Sequence, residues 1–508
     1  MKLSPMLHVK PTPTLWLDPA TGAGVEDMIT WRRMIRLAAG EPLRLAHVLE
    51  FARGSADHSR VMLTGDPIPR EWLLATADGW EHGRHWLDHE TPTGRYRHSA
   101  TGATVEVRRA AEWFGEGTYS PADAARAWAT LGGVLAAAFR QESPPLLRSP
   151  GATGLDLWLR TAGGDVPDPL PDDTQELIRS TSPQHRIELR RPTSKVVPAV
   201  WVVDARWSYA ALTRGLGSGP AHMLTGSQAE AHYQANPYAR ARYRVTWTAP
   251  HWWAAAWGPT GLLMAKDDDG TWQTPPAGTG WADAAEVHLA VSAGWEVRFH
   301  EAIAFSAGRP LDTWTDRLIR ARDLALPPDD PLPLASAVMA GRAVRAILLH
   351  AIGSWHSTGR DEVTVTASPM TPPAGDGWGP PERLDVGGVL WRRRSPVTSD
   401  RAAAMRHPEW SSQVWGRAHL RILDTPGAGG RRQGVLSTPP GDVLGIYGDS
   451  LITTRRPQWA DYDDGKPGRL RVKGHLCGPV AWEPTAAARD RLTRLAEATG
   501  PTCPKGCD

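Results

Sequence analysis

Cysteine, asparagine, lysine and phenylalanine are all scarce in this chain of 508 residues, which holds three, one (Asn236), seven and five of them respectively. The three cysteines, Cys477, Cys503 and Cys507, make no disulfide framework, and the terminal CPKGC has the wrong spacing and too few partners for a zinc site. The opening stretch MKLSPMLHVKPTPTLW lacks the apolar core of a secretory signal. No apolar run approaches the ~18 residues of a membrane span, so the sequence predicts a cytoplasmic protein without a membrane partner. A net charge of only +2 gives no global basic field to advertise a nucleic-acid partner.

Tryptophan and arginine are what the chain has instead. There are 25 tryptophans, and fifty arginines stand against the seven lysines. That joint bias fits coding from GC-rich DNA, so arginine can stand where a relative carries lysine. The tryptophans fill core volume that phenylalanine would otherwise fill, or stack on bases. The length alone predicts roughly two to four packed units.

Proline, glycine and aspartate punctuate the chain densely, and residues 149–154, 163–174, 326–333 and 371–382 read as loops. Period-two alternation predicts a strand at the start of 104–114, and strand signals recur over 155–160, 186–190, 198–204, 241–247 and 296–305. A helix is predicted over 121–140, capped by Ser120 with Pro121 in its first turn. Two more follow over 311–325 and 334–353, the second closed by Gly353 as C-cap. From about residue 195 the pattern is strands, a two-helix excursion, then strands again. The parallel βαβ rhythm is missing, so the class is α+β with a helical hairpin inserted into an antiparallel sheet.

Two apolar strands each deliver one acid. VVDARWSYAAL (202–212) carries Asp204, with Tyr209 five residues on; DVLGIYGDSLITT (442–454) carries Asp449. Taken alone, each acid also fits a turn or cap. Brought together, two strand-borne carboxylates can hold hard divalent cations through oxygen, and a metal pair ~3.5–4 Å apart clamps the attacking and leaving oxygens of a phosphoryl transfer.

The company these acids keep resembles the family B DNA polymerases, especially the protein-primed branch of phages and plasmids. DARWSYAA is similar to that family's first palm motif, with Asp204 and Tyr209 matching and Ala210 in place of the usual proline. YGDSL resembles the DTDSL motif, with Asp449, Ser450 and Leu451 matching and Tyr447 at the position of the first Asp. HRIEL (185–189) resembles the strand linking exonuclease and polymerase regions. RAVRAILLHAIGSW resembles the fingers motif: Arg345 stands for its Lys and Gly353 matches, while Leu349, His350 and Ile352 replace Asn, Ser and Tyr. LDTWTDRLIRAR resembles the first fingers helix, and GRLRVKGHL (468–476) the strand whose Lys binds the primer. The ordered set spans roughly 185–480.

The resemblance implies a right-hand polymerase with an antiparallel palm sheet over 191–305 and 361–480 and helical-hairpin fingers over 306–360. An RNase H-like, exonuclease-remnant domain is expected over 1–190, and a rudimentary thumb or tail over 481–508. It implies catalytic, metal-binding Asp204 and Asp449, with Mg²⁺ or Mn²⁺ as cofactor. Tyr209 would lie under the nucleotide sugar, and Arg322, Arg342 and Arg345 would grip the phosphates of a dNTP. Lys473 and Arg471 would contact the primer strand. Salt bridges of Arg322 to Asp316 or Asp323 are the competing reading of that residue. Primer-template DNA, dNTPs and a terminal protein primer are the implied partners. The implied activity is template-directed DNA synthesis, with a catalytically degenerate DNA-binding relative as the alternative. Asp88 and Glu90 of LDHET have the spacing of an exonuclease DxE, but the preferred reading is a hairpin with incidental charges.

Overall fold

The structure is a computed structural model. It describes residues 13–27, 32–37, 43–54, 60–65, 72, 79–83, 93–141, 146–162, 166–190, 192, 194–258, 260–327, 334–366, 368–370, 373, 375–384, 388–396, 403–427, 430–461 and 466–502. Asp88, Glu90, Cys503 and Cys507 lie outside the described residues. The chain is α+β with several sheets, and divides into two compact units, each built from two stretches: Met1–Val166 with Thr313–Arg406, and Pro167–Asp312 with His407–Asp508.

The first unit is organised on a sheet of seven strands, in the order Arg32–Arg36, Ala23–Asp27, Thr14–Leu17, Arg60–Leu63, Thr104–Arg109, Gly94–His98, Trp80–Gly83. Pairing is antiparallel except where Arg60–Leu63 lies parallel to both of its neighbours. Alternate residues of the central strands, Leu15, Leu17, Val61, Leu63, Val105 and Val107, pack on Leu45, Val48 and Leu49 of the Leu45–Gly54 helix. The Pro121–Phe139 helix begins as its sequence predicts, with Ser120 Oγ accepting from the Asp123 amide at 3.1 Å.

Residues 155–160 are not a strand and 149–154 are not a loop, because both belong to one helix, Pro150–Ala162. Alternation is uninformative there because the helix is buried on most of its circumference. Gly151 and Gly154, one turn apart, let it approach the Ala335–His356 helix closely: a Cβ on Gly154 would come within 2.6 Å of Ala351 Cβ and 2.9 Å of the Ile347 carbonyl oxygen. Gly353 does not end that second helix, which runs on to His356 and buries Ile352 and Trp355 in its last turns. Contrary to expectation, Ala335–His356 is long and apolar enough to cross a membrane, though more than half of it is buried inside the unit.

The second unit has two larger sheets, both antiparallel. One runs Gly217–Thr225, Glu296–Ala307, Ala241–Thr248, Ala277–Asp283; the other runs Leu470–Ala481, Val196–Ala205, Ser450–Thr453, Val443–Tyr447, Ile187–Leu189. The Val196–Ala205 strand is central and reads as a nearly continuous apolar run because both of its faces are covered. Ala199, Trp201, Val203 and Ala205 enter the large core shared with the four-stranded sheet, whereas Val197, Val200 and Val202 pack with Leu492 and Ala496 of the Ala486–Thr499 helix. Cys477, on the edge strand, is disulfide-bonded, a bridge that the sequence, read as having no disulfide framework, did not foretell.

Candidate active site

Asp204 is the last polar residue of the central strand before it turns. By the alternation of that strand it shares a face with Val200 and Val202, the face covered by the Ala486–Thr499 helix. Its register partners are Ser450 on one side and Arg471 on the other. Asp449 immediately precedes that Ser450, in the two-residue turn of the Val443–Tyr447 and Ser450–Thr453 hairpin. Gly448 takes φ +60° at the first central position, where a type II′ turn requires glycine. The amide of Ala205 donates to the Asp449 carbonyl at 3.3 Å. Two acids 245 residues apart in sequence (449 minus 204) are therefore carried at the same end of adjacent strands.

Cations surround Asp204. Arg471 Nε lies 3.6 Å from its Oδ1, and Lys473 Nζ lies 3.5 Å from its Oδ2. The same ammonium is 2.7 Å from Glu497 Oε1. Asp204 Oδ1 is buried and makes no hydrogen bond. Three of the residues singled out in the sequence, Asp204, Arg471 and Lys473, are thus in contact, with Asp449 at the neighbouring turn.

Tyr209 is half-buried in the short Ser208–Leu212 helix that follows the central strand, entered through Trp207 in the left-handed region at φ +48°. Tyr447, where the resembling motif has an acid, is exposed, and the guanidinium of Arg489 sits 3.6 Å above its ring centroid.

Arg322, Arg342 and Arg345 belong to the first unit. Arg322 donates from Nε and Nη2 to Asp323 Oδ1 at 2.8 and 2.5 Å, the salt bridge that the competing reading foresaw. Arg342 and Arg345 are exposed, one turn apart on Ala335–His356, so they share a helix face.

Glu497 and Arg489 were missed in the sequence because they come from a helix that matches no motif. The signal for one of them was the glycine in RVKGHL. A lone glycine in an alternating strand marks a bulge or a close backbone approach, and Gly474 does both. The register shifts between Val472 and Gly474, and a Cβ on Gly474 would stand 2.1 Å from the Ala496 carbonyl oxygen.

The second unit also holds a buried polar cluster. Asp283 caps the Ala284–Ser292 helix in a capping box with Glu286, whose Oε1 meets His419 Nδ1 at 3.0 Å. Burial pushes the Asp283 carboxyl up to about 6, partly offset by Arg417. Burial also acts on Glu286, but hydrogen bonding and charge from His419 hold its carboxyl below the usual range.

Among the described residues, no group of three or more His, Cys, Asp or Glu side chains could hold a metal ion. Among the described residues, Asp204 and Asp449 are two acids that the sheet carries to one strand end. The fit rests on Asp204 Oδ1, a buried carboxylate oxygen with no hydrogen-bond donor of its own, and on a second acid at the adjacent turn.

No family model matches the chain, and no curated protein matches it. Its fold is that of solved polymerase structures. Phi29 DNA polymerase complexed with single-stranded DNA is similar to it with a TM-score of 0.55 and 9% identity, covering 92% of this chain and 85% of that one. The same polymerase with primer-template DNA and incoming nucleotides gives a TM-score of 0.54 at 9% identity, and its post-translocation complex with primer-template DNA 0.55 at 10%, each over the same shares.

Proposed function

We propose that the protein is a DNA-directed DNA polymerase of the family B, protein-primed type, extending a primer on a DNA template in the replication of a phage, plasmid or other mobile element. The observation that carries the reading is the placement of Asp204 and Asp449 at one end of adjacent strands in an antiparallel sheet, within a chain whose fold likeness to Phi29 DNA polymerase covers 92% of its length. In this reading 191–305 and 361–480 are the palm stretches, of which 361–406 falls in the first unit and the rest in the second, with 306–360 as the fingers and 481–508 as a short thumb. The parallel pairing of Thr14–Leu17, Arg60–Leu63 and Thr104–Arg109 beside an antiparallel meander supports an RNase H-like N-terminal domain.

Asp204 and Asp449 would hold Mg²⁺ or Mn²⁺, which supplies charge neutralisation for nucleotidyl transfer. The chain's own groups position the reactants. Tyr209 follows the strand end at which a nucleotide sugar would lie, Arg471 and Lys473 offer cations to the primer backbone, and Arg342 and Arg345 present two exposed guanidinium groups for dNTP phosphates. Work in the cytoplasm, with primer-template DNA, dNTPs and a terminal protein as partners, belongs to the same proposal.

Primer extension with Mg²⁺ or Mn²⁺ tests it. The wild-type chain should add dNTPs to a primed template, and Asp204→Asn and Asp449→Ala should each lower the rate at least about a hundredfold while remaining folded. Folded wild-type protein that incorporates nothing with either metal refutes catalysis. The alternative, a polymerase-fold protein that binds primer-template without turnover, is favoured by Tyr447 and its Arg489 partner standing where the resembling motif has an acid. It predicts salt-dependent DNA binding with no extension.

A further inference from the structure

Asp204 is already neutralised by the protein itself, through Arg471 at Oδ1 and Lys473 at Oδ2, and the second of these cations is shared. Lys473 stands between two carboxylates, 3.5 Å from Asp204 Oδ2 and 2.7 Å from Glu497 Oε1, and about a third of its side chain is exposed. The position is built. The register shift after Val472 makes Lys473 the extra residue of a bulge, a device that re-aims a side chain. Gly474 lets the backbone of Ala496 and Glu497 abut the strand, where any Cβ would collide with the Ala496 carbonyl oxygen.

We propose that Lys473 is an internal counter-ion that a divalent cation displaces, with Glu497 as the positioning residue that holds the displaced ammonium ready for a nucleic-acid phosphate. This rests on the proposed reading of Asp204 as a metal ligand. Without metal, the ammonium pairs with both acids. When a cation binds Asp204, like-charge repulsion drives the ammonium off Oδ2, and Glu497 keeps it at the site instead of releasing it to solvent. Metal and DNA then bind cooperatively through one side chain, and by linkage each strengthens the other equally. Replacing the lysine removes a competitor for Asp204, whereas replacing Glu497 leaves the ammonium on Asp204 alone. The two substitutions therefore act in opposite directions on metal affinity, which a merely structural role for the pair would not do.

Mn²⁺ titration of the DNA-free, full-length protein, read by electron paramagnetic resonance, tests this without any turnover. Lys473→Ala should bind Mn²⁺ about fivefold more tightly than wild type, the size of a partly exposed ion pair. Glu497→Gln should bind more weakly, Asp204→Asn should lose the site, and the Glu497→Gln effect should disappear in the Lys473→Ala background. Fluorescence anisotropy with Ca²⁺ should show primer-template affinity rising with the ion in wild type but not in Lys473→Ala. Unchanged or weaker Mn²⁺ binding by folded Lys473→Ala overturns the proposal, as does a wild-type protein that binds no Mn²⁺ or a site that survives Asp204→Asn. Primer extension separates the two proposals: extension with an unchanged Lys473→Ala affinity refutes only the displacement, while opposite shifts without extension refute only polymerisation.

Discussion

At the scale of single residues, Asp283 links the stability of the second unit to pH. Its carboxyl, pushed up to about 6 by burial, binds a proton in the folded chain that an unfolded Asp, at about 3.9, has already lost. The stability it contributes is fully present below about pH 4 and is lost as pH rises through 6. Glu286 acts in the opposite sense, its contribution falling away as acid protonates it. Asp283→Asn retains an N-capping side chain and removes the titration. The expected result is a variant whose denaturation midpoint no longer declines between pH 4 and 6, measured against wild type across that range. The acids at the site were readable from sequence because each ends an apolar strand with a distinctive neighbour. Glu497 was not, because nothing local marks a glutamate near a helix end as the partner of a lysine two dozen residues earlier. The pairing exists only once the helix is docked.

At the scale of elements, the edge strand Leu470–Ala481 and the Ala486–Thr499 helix behave as one piece. Thr485 caps the helix by accepting from the Ala488 amide at 3.2 Å, and Ala488, Leu492 and Ala496 form its buried stripe. Gly474→Ala should push the helix off the strand and cost about 1–3 kcal/mol, visible as a lower denaturant midpoint. The same change should weaken the Lys473–Glu497 contact, so its Mn²⁺ affinity should shift along with stability. Strands of the second unit such as Ala241–Thr248 and Glu296–Ala307 were legible because each keeps residues exposed along one side and β-forming residues between them. Pro150–Ala162 was not. None of its residues is exposed, and the five-residue Leu-Asp-Leu-Trp-Leu run imitates a strand. Gly353 misled for a related reason: burial of Trp355 carries the Ala335–His356 helix past a residue that usually stops one.

At the scale of the whole molecule, the strand, two-helix, strand pattern and the missing βαβ rhythm indicated the α+β class. The discontinuity of the units was harder to see, since no composition shift marks where Pro167–Asp312 gives way to Thr313 and resumes at His407. That discontinuity has a direct test. A chain ending at Arg406 keeps every stretch of the first unit but lacks both strands flanking Val196–Ala205. Hydrogen exchange should find the amides of 196–205 unprotected in that truncation, while those of the Thr14–Leu17 and Arg60–Leu63 strands stay protected.

The pairing of Asp204 with Ser450 also sets a schedule. These residues are 246 positions apart (450 minus 204), and at roughly 5–20 residues per second a ribosome needs roughly 12–50 s to supply the second after the first. During that interval the central strand, apolar on both faces, has neither neighbour, and the two acids have not met. Until the Ser450–Thr453 strand has emerged, Asp204 and Asp449 cannot be carried side by side, and an apolar strand has to be kept from non-native pairing without either of its sheet neighbours.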